Sequence, residues 1–172
     1  MISYSHEVIF LGTPAQLKSA KEVNTVIVAG SSLPLAVEIK SLGVIVDNRL
    51  SFDSHVSAIC RACNYHIWAL RHIRRLLPDD VAKMLACSIV TTRLDYCNSL
   101  LYGSSKKNLA NLQRVQNSLA RVVSQVPKLT HASPLLKSLH WLPITQCITL
   151  KMAVITYKVR QTSTPQRIFT TC

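Results

Sequence analysis

Acidic residues are scarce in this chain: eight Asp and Glu stand against twenty Lys and Arg in 172 residues. Glycine is scarcer still, at four, and proline stops at seven, which argues against a flexible linker or a fibrous repeat. No apolar run reaches the roughly 18 residues that a membrane-spanning helix needs. The stretch Val26–Ala29 is broken by Gly30, Ser31 and Ser32, and the next by Glu38 and Lys40. No basic segment precedes Val8-Ile9-Phe10-Leu11, so a signal peptide is not expected. No Ser-His-Asp order, glycine-rich phosphate loop or paired catalytic carboxylates stand out. What is present is apolar content of 48%, enough for a core and too much for overall disorder.

The positive charge is unevenly placed. Residues 1–60 carry four Lys/Arg and five acids, a net of −1, whereas residues 61–160 carry fifteen Lys/Arg and three acids, a net of +12. A field of that sign concentrates polyanions and speeds their capture, which favours nucleic acid over a merely soluble basic domain. The six cysteines, Cys60, Cys63, Cys87, Cys97, Cys147 and Cys172, lie mostly in apolar helical patterns. They read as reduced, buried thiols of an intracellular protein, in nucleus or cytoplasm, and not as a disulfide framework.

Hydrophobic spacing separates two regions. Glu7–Leu11 ends in Gly12-Thr13-Pro14 and predicts a strand and turn; Asn24–Ala29, Leu35–Ile39 and Leu42–Val46 predict further strands of a small antiparallel sheet, with a hairpin at Gly30–Ser32. Such a sheet needs a partner surface for stability. After Phe52 the period becomes helical. Asp53 or Ser54 caps a helix running to Leu77, Pro78-Asp79-Asp80 closes it and opens a second to about Asp95, and a third carries Leu109 to Val123. A short helix over 134–139 and a longer one over 144–160 complete the module. The fold class predicted is α+β: residues 1–53 a β segment, 54–165 a basic helical bundle, and 166–172 a disordered tail.

Four segments fall in an order that carries a resemblance: KSLGVIVDNRLSFDSHV, LDYCNSLLYG, LQRVQNSLARVV and LHWLPI. With them the chain, up to about Pro165, resembles the C-terminal palm and thumb of the reverse transcriptase of LINE-type (non-LTR) retrotransposons, an RNA-directed DNA polymerase. Leu42-Gly43-Val44 is similar to the family's primer grip. The helices look like the thumb, which holds an RNA–DNA or DNA duplex. Ser5–Ile9 looks like the remnant of the palm motif after the catalytic hairpin. The family's Tyr-x-Asp-Asp hairpin and earlier Asp, which hold Mg in the parent enzyme, are missing, and Ser5 stands where the family usually has Lys. No catalytic residue, metal site or cofactor is therefore assigned. Gln166–Cys172 departs from the family as well, and both ends read as a fragment of a decayed element or a repurposed piece of one.

Candidate phosphate contacts are Arg71, Arg74 and Arg75, spaced to make one cationic edge; Lys106 and Lys107 at a helix start after Ser104-Ser105; and Arg114 and Arg121, seven apart on one helix face. A solvated basic face is the competing reading for each. Cys60, Cys63 and His66 form a C-x-x-C-x-x-H string, but all three fall on one helix without an evident fourth ligand, so core thiols are preferred to zinc. Trp68, His140 and Trp141 could stack on bases, though Trp141 lies among apolar neighbours. Asp95, Tyr96 and Asn98 read as a helix end with a hydrogen-bonded tyrosine. The expected function is template–primer binding without catalysis. The alternative is a helical interaction module or relic, prone to self-association through apolar surface.

Overall fold

The computed structural model describes residues 7–19, 25–28 and 30–162. It is an α+β protein with a small strand region followed by helices. The chain divides into two compact units that meet between Ala58 and Ile59. No helix among the described residues is long and apolar enough to cross a membrane.

The first unit holds five short strands: β1 (Val8–Ile9), β2 (Thr25–Val28), β3 (Ser31–Ala36), β4 (Glu38–Ser41) and β5 (Val44–Asp47). The sheet is not wholly antiparallel as expected. β3 lies between β1 and β2 and pairs in parallel with β1 and antiparallel with β2, while β4 and β5 form a separate hairpin. The first hairpin also differs from the prediction: Val28 pairs with Ser31, so Ser31-Ser32, expected in the turn, belong to β3. The predicted run Leu35–Ile39 spans two strands, because the exposed Val37 separates them and its carbonyl accepts from Asn48 N at 3.0 Å.

A short helix, α1 (Pro14–Ser19), was not anticipated. It starts with a reciprocal cap: Gln16 Oε1 accepts from Thr13 N at 2.9 Å, and Thr13 Oγ1 accepts from Gln16 N at 3.4 Å. The loop after β5 is organised by Asp47. Its Oδ1 accepts from the backbone N–H of Arg49 and Ser51 at 2.9 and 3.0 Å, and its Oδ2 from Phe52 N at 2.7 Å. These bonds hold Leu50 and Phe52, at φ 54° and 59°, in a region that side-chain-bearing residues seldom adopt.

Helix α2 (Asp53–Ile73) takes both expected cap residues, Asp53 and Ser54, into its first turn and tightens into a 3₁₀ turn over Arg74–Leu76. Pro78 then precedes α3 (Asp79–Ala86), whose first turn carries Asp79 and Asp80, as its dipole favours. A π-helical turn, Cys87–Thr91, leads into α4 (Thr92–Asp95), and a 3₁₀ turn follows over Asn98–Leu101.

The second unit is built around α5 (Lys106–Val123), which contacts α3, α6 (Ala132–Ser138) and α7 (Ile144–Gln161). Its buried residues Leu112, Val115, Leu119, Val122 and Val123 recur every three or four positions, the spacing of one helical face. Burying each such aliphatic side chain contributes about 1.5–3 kcal/mol. Two glutamines add polar pins. Gln116 Nε2 donates to the Leu142 carbonyl at 2.8 Å, and Gln113 Oε1 accepts from Ile144 N, the first N–H of α7, at 2.9 Å. Pro143, at the N-cap of α7, makes no side-chain cap, so Gln113 supplies it from another helix.

Candidate nucleic-acid interface

The end of α2 and the end of α5 build a basic cleft of about 710 Å³, lined by Arg71, Arg74, Arg75, Arg121 and Lys128 with Ser118 and Gln125. Helix α5 closes with a Schellman motif: Val126 N donates to Arg121 O at 3.1 Å and Gln125 N to Val122 O at 3.2 Å. Gln125 occupies the left-handed position, φ 54°, where glycine is usual. Pro127 then turns the chain, and Thr130 N donates to its carbonyl at 3.1 Å. Arg121 Nε donates to Thr130 O at 2.8 Å, tying this loop to the helix, and the loop's Lys128 lines the cleft.

Arg74 does not belong to a phosphate-binding edge. It is 4% exposed. Its Nε donates to Val123 O at 2.8 Å and its Nη1 to Leu77 O at 2.9 Å, and its Nη2 pairs with the Asp79 carboxylate. With the Gln125 amide turned oxygen-inward, that oxygen accepts from Nη1 and Nη2 at 2.9 and 3.2 Å. The guanidinium is spent on the protein itself. The physical reason is its surroundings: the Val123 carbonyl at the end of α5, the Leu77 carbonyl and the Asp79 carboxylate all lie within reach of this one guanidinium.

Arg71, Arg75 and Lys128 are exposed, and none has an ion pair or hydrogen bond among the described residues. Arg121 is half-buried and uses only Nε, leaving its two Nη groups without a partner there. The Arg74–Asp79 pair is the one salt bridge among the described residues, so the field of the cleft is almost uncompensated.

The other predicted cations stand apart. Lys106 and Lys107 are exposed in the first turn of α5, where the Ser105 hydroxyl already accepts from Asn108 N at 3.2 Å. The helix rise places them about 20 Å along the axis from Arg121. Arg114 is exposed, donates to Asn111 Oδ1 at 2.9 Å, and does not line the cleft. Of the predicted residues, then, Arg71, Arg75 and Arg121 come together; Lys128, which lies past the helix-ending Pro127, was missed.

The primer-grip-like segment is a turn where a strand was expected. Ser41 pairs with Val44, and Leu42 and Gly43 form the two-residue turn between β4 and β5, at φ 46° and 81°. Leu42 is 87% exposed, whereas Val44 is buried.

No group of His, Cys, Asp and Glu among the described residues is arranged to hold a metal ion. Cys63 is buried, and burial, with Cys60 nearby, pushes its thiol up to about 11. Such a thiol is unreactive at neutral pH. Cys87, by contrast, is exposed, against the expectation of burial. Trp68 is exposed and packs on its own helix, its ring 4.3 Å from that of His72. The predicted tail, 166–172, and Ser5 lie outside the described residues.

Comparison of the chain with protein-family models, curated proteins and solved structures returns no match.

Proposed function

We propose that this chain is a nucleic-acid backbone-binding module: the template–primer-holding, thumb-like portion of a retrotransposon-type reverse transcriptase, without the polymerase centre. The observation that supports this reading is the cleft where Arg71, Arg75, Arg121 and Lys128 gather from two helices and a loop. Four cations around one concavity suit phosphate oxygens of successive nucleotides, and their contacts carry no base sequence. Buried Arg74 is the strut that holds the two helix ends at that spacing. The exposed Leu42-Gly43 turn is the part that would meet the primer end. Polymerisation is absent in this reading, and metal-dependent primer extension by the pure chain would contradict it.

The test is binding to a labelled RNA–DNA primer–template over a salt series, with the chain and with Arg71→Ala/Arg75→Ala/Lys128→Ala. Each lost phosphate contact lowers the slope of log K against log salt by about 0.9. The triple variant is expected to lose between two and three such contacts, while Lys137→Ala, outside the cleft, leaves the slope almost unchanged. Equal slopes for the triple variant and the parent chain would overturn the reading.

A second reading rests on α7, where Leu150, Val154 and Tyr157 are exposed along one face. That face suits a second copy of this chain, which makes the protein a self-associating helical module. Sedimentation over a dilution series separates the two: a monomer at all concentrations excludes it.

A further inference from the structure

A second cavity of the helical unit, about 580 Å³, has none of the basic cleft's residues in its lining. Ile144, Cys147, Lys151, Val154 and Lys158 form one wall, spaced three or four apart along α7, with Ile155 beside them. Leu94, Asp95 and Asn98 form another, with Trp141 and Leu142 beside them. The size and the mainly apolar lining surface, with a few polar groups, are those of small-molecule sites.

Asn98 is 3% exposed, and its Oδ1 has no hydrogen-bond partner. Its Nδ2 donates to Asp95 Oδ1 at 3.3 Å, which fixes the amide orientation and leaves the carbonyl end as the orphan. A buried acceptor without a donor is rare because its lost hydration is not replaced. Burial also raises the pKa of Asp95, with Lys151 working the other way. Lys151 Nζ donates to the Asp95 backbone carbonyl at 3.2 Å. Lys158 lies two turns further along α7, about 10 Å on. The cavity lining therefore includes an unfilled acceptor, an apolar middle and the ammonium groups of Lys151 and Lys158.

We propose that this cavity binds a small amphiphile: an aromatic ring with a single N–H donor for Asn98 Oδ1 and an anionic tail for Lys158. A nucleobase fits less well, because its several ring acceptors and amines would face Leu94, Leu142 and Ile144 unpaired. The site stands independently of the nucleic-acid reading, since it uses none of Arg71, Arg75, Arg121 or Lys128.

The probe is indole-3-butyrate, titrated into the ¹⁵N-labelled full chain and followed by amide chemical shifts. Saturable shifts confined to 91–98 and 140–158 are expected. The benzofuran analogue, in which a ring oxygen replaces the N–H, sets an acceptor against an acceptor and is expected to bind about tenfold more weakly. Asn98→Leu abolishes that preference, and Lys158→Gln weakens both ligands several-fold. Should Asn98→Leu not fold, the analogue pair still decides. Absence of saturable shifts up to about 1 mM, or equal affinity for the two rings, overturns the proposal. So does reproduction of the same shifts by raising the protein concentration alone, which would make this face a contact between copies.

Discussion

Arg74 donates through Nε to the carbonyl of Val123, 2.8 Å away, joining the end of one long helix to the C-terminus of another 49 residues later in the chain. The contact sets a cation on carbonyls at the negative end of a helix dipole. It also meets an acid, Asp79, that is itself 80% exposed. Most of the Arg74 interaction is therefore with backbone carbonyls, and the ion pair is the lesser part.

Replacing Arg74 and replacing its neighbours have opposite signatures. Arg74→Ala leaves the Val123 and Leu77 carbonyls unpaired and is expected to cost about 2–4 kcal/mol of stability. Arg74→Lys recovers little of that, because one ammonium group cannot reach three directions. Arg71→Ala and Arg75→Ala are expected to change stability by less than about 0.5 kcal/mol while weakening nucleic-acid binding. Urea melts of the three single variants, set beside the salt series, check the division.

Gln113 caps a helix to which it does not belong. Gln113→Ala exposes the first N–H of α7 and also removes the donor to Gln116 Oε1 and Asn117 Oδ1, at 2.9 and 2.8 Å. The expected loss is about 1–2 kcal/mol, as for other caps. Hydrogen exchange should quicken first in the opening turn of α7. Uniform quickening across α5 would argue against a local capping role.

Asp47 makes the strand region acid-sensitive. Burial works to raise its pKa, but the N–H groups of Ser51, Arg49 and Phe52 and the Ser51 hydroxyl together outweigh burial, so the carboxyl sits below its usual 3.8. A depressed carboxylate contributes stability that is present above the unfolded value and lost as pH falls through the folded one. Asp47→Asn is expected to flatten that loss below about pH 4 and to cost about 1–2 kcal/mol at neutral pH. Thermal melts from pH 2 to 7 read both.

His55 acts on a higher window. It is buried, and its Nδ1 accepts from Ile45 N at 3.4 Å, which requires a neutral ring with the proton on Nε2. Burial lowers its pKa from 6.5. The sign follows: its contribution is complete above pH 6.5 and declines as pH falls towards the lower folded value. His55→Gln, which stays neutral, is expected to remove this slope between about pH 6.5 and 5. An NMR titration of His55 with a midpoint at or above 6.5 would refute the assignment.

The helices were legible because their signals are local. The three-or-four spacing of Leu112 to Val123, the stop at Pro78 and the cap at Ser105 all lie within a few residues of what they specify. The parallel pairing of β1 with β3 was not, since its two partners are separated by the whole of α1 and β2. Nor was α1 itself, whose Thr13–Gln16 capping signature was readable but whose single turn and a half holds no hydrophobic period. Arg74 was misplaced because its partners, the Val123 carbonyl and the Asp79 carboxylate, belong to other elements, which spacing along one helix does not show. Lys128 was missed because Pro127 marks the end of the helix but not the direction of the chain beyond it.

The π-helical turn at Cys87–Thr91 bears on a larger question than its own five residues. Ala82, Ala86, Val90 and Leu94 are all buried and recur every fourth position. In an unbroken α-helix that series would drift by about 120° around the axis over three steps. The wider turn absorbs the drift and keeps all four on one side. A single-residue deletion there would restore ordinary winding, and eleven steps of about 100° would still bring Leu94 to within about 20° of Ala82. The cavity wall that Leu94 and Asp95 form therefore tolerates a length change at this turn, whereas the same change in the regular winding of α5 would swing every later side chain by about 100°.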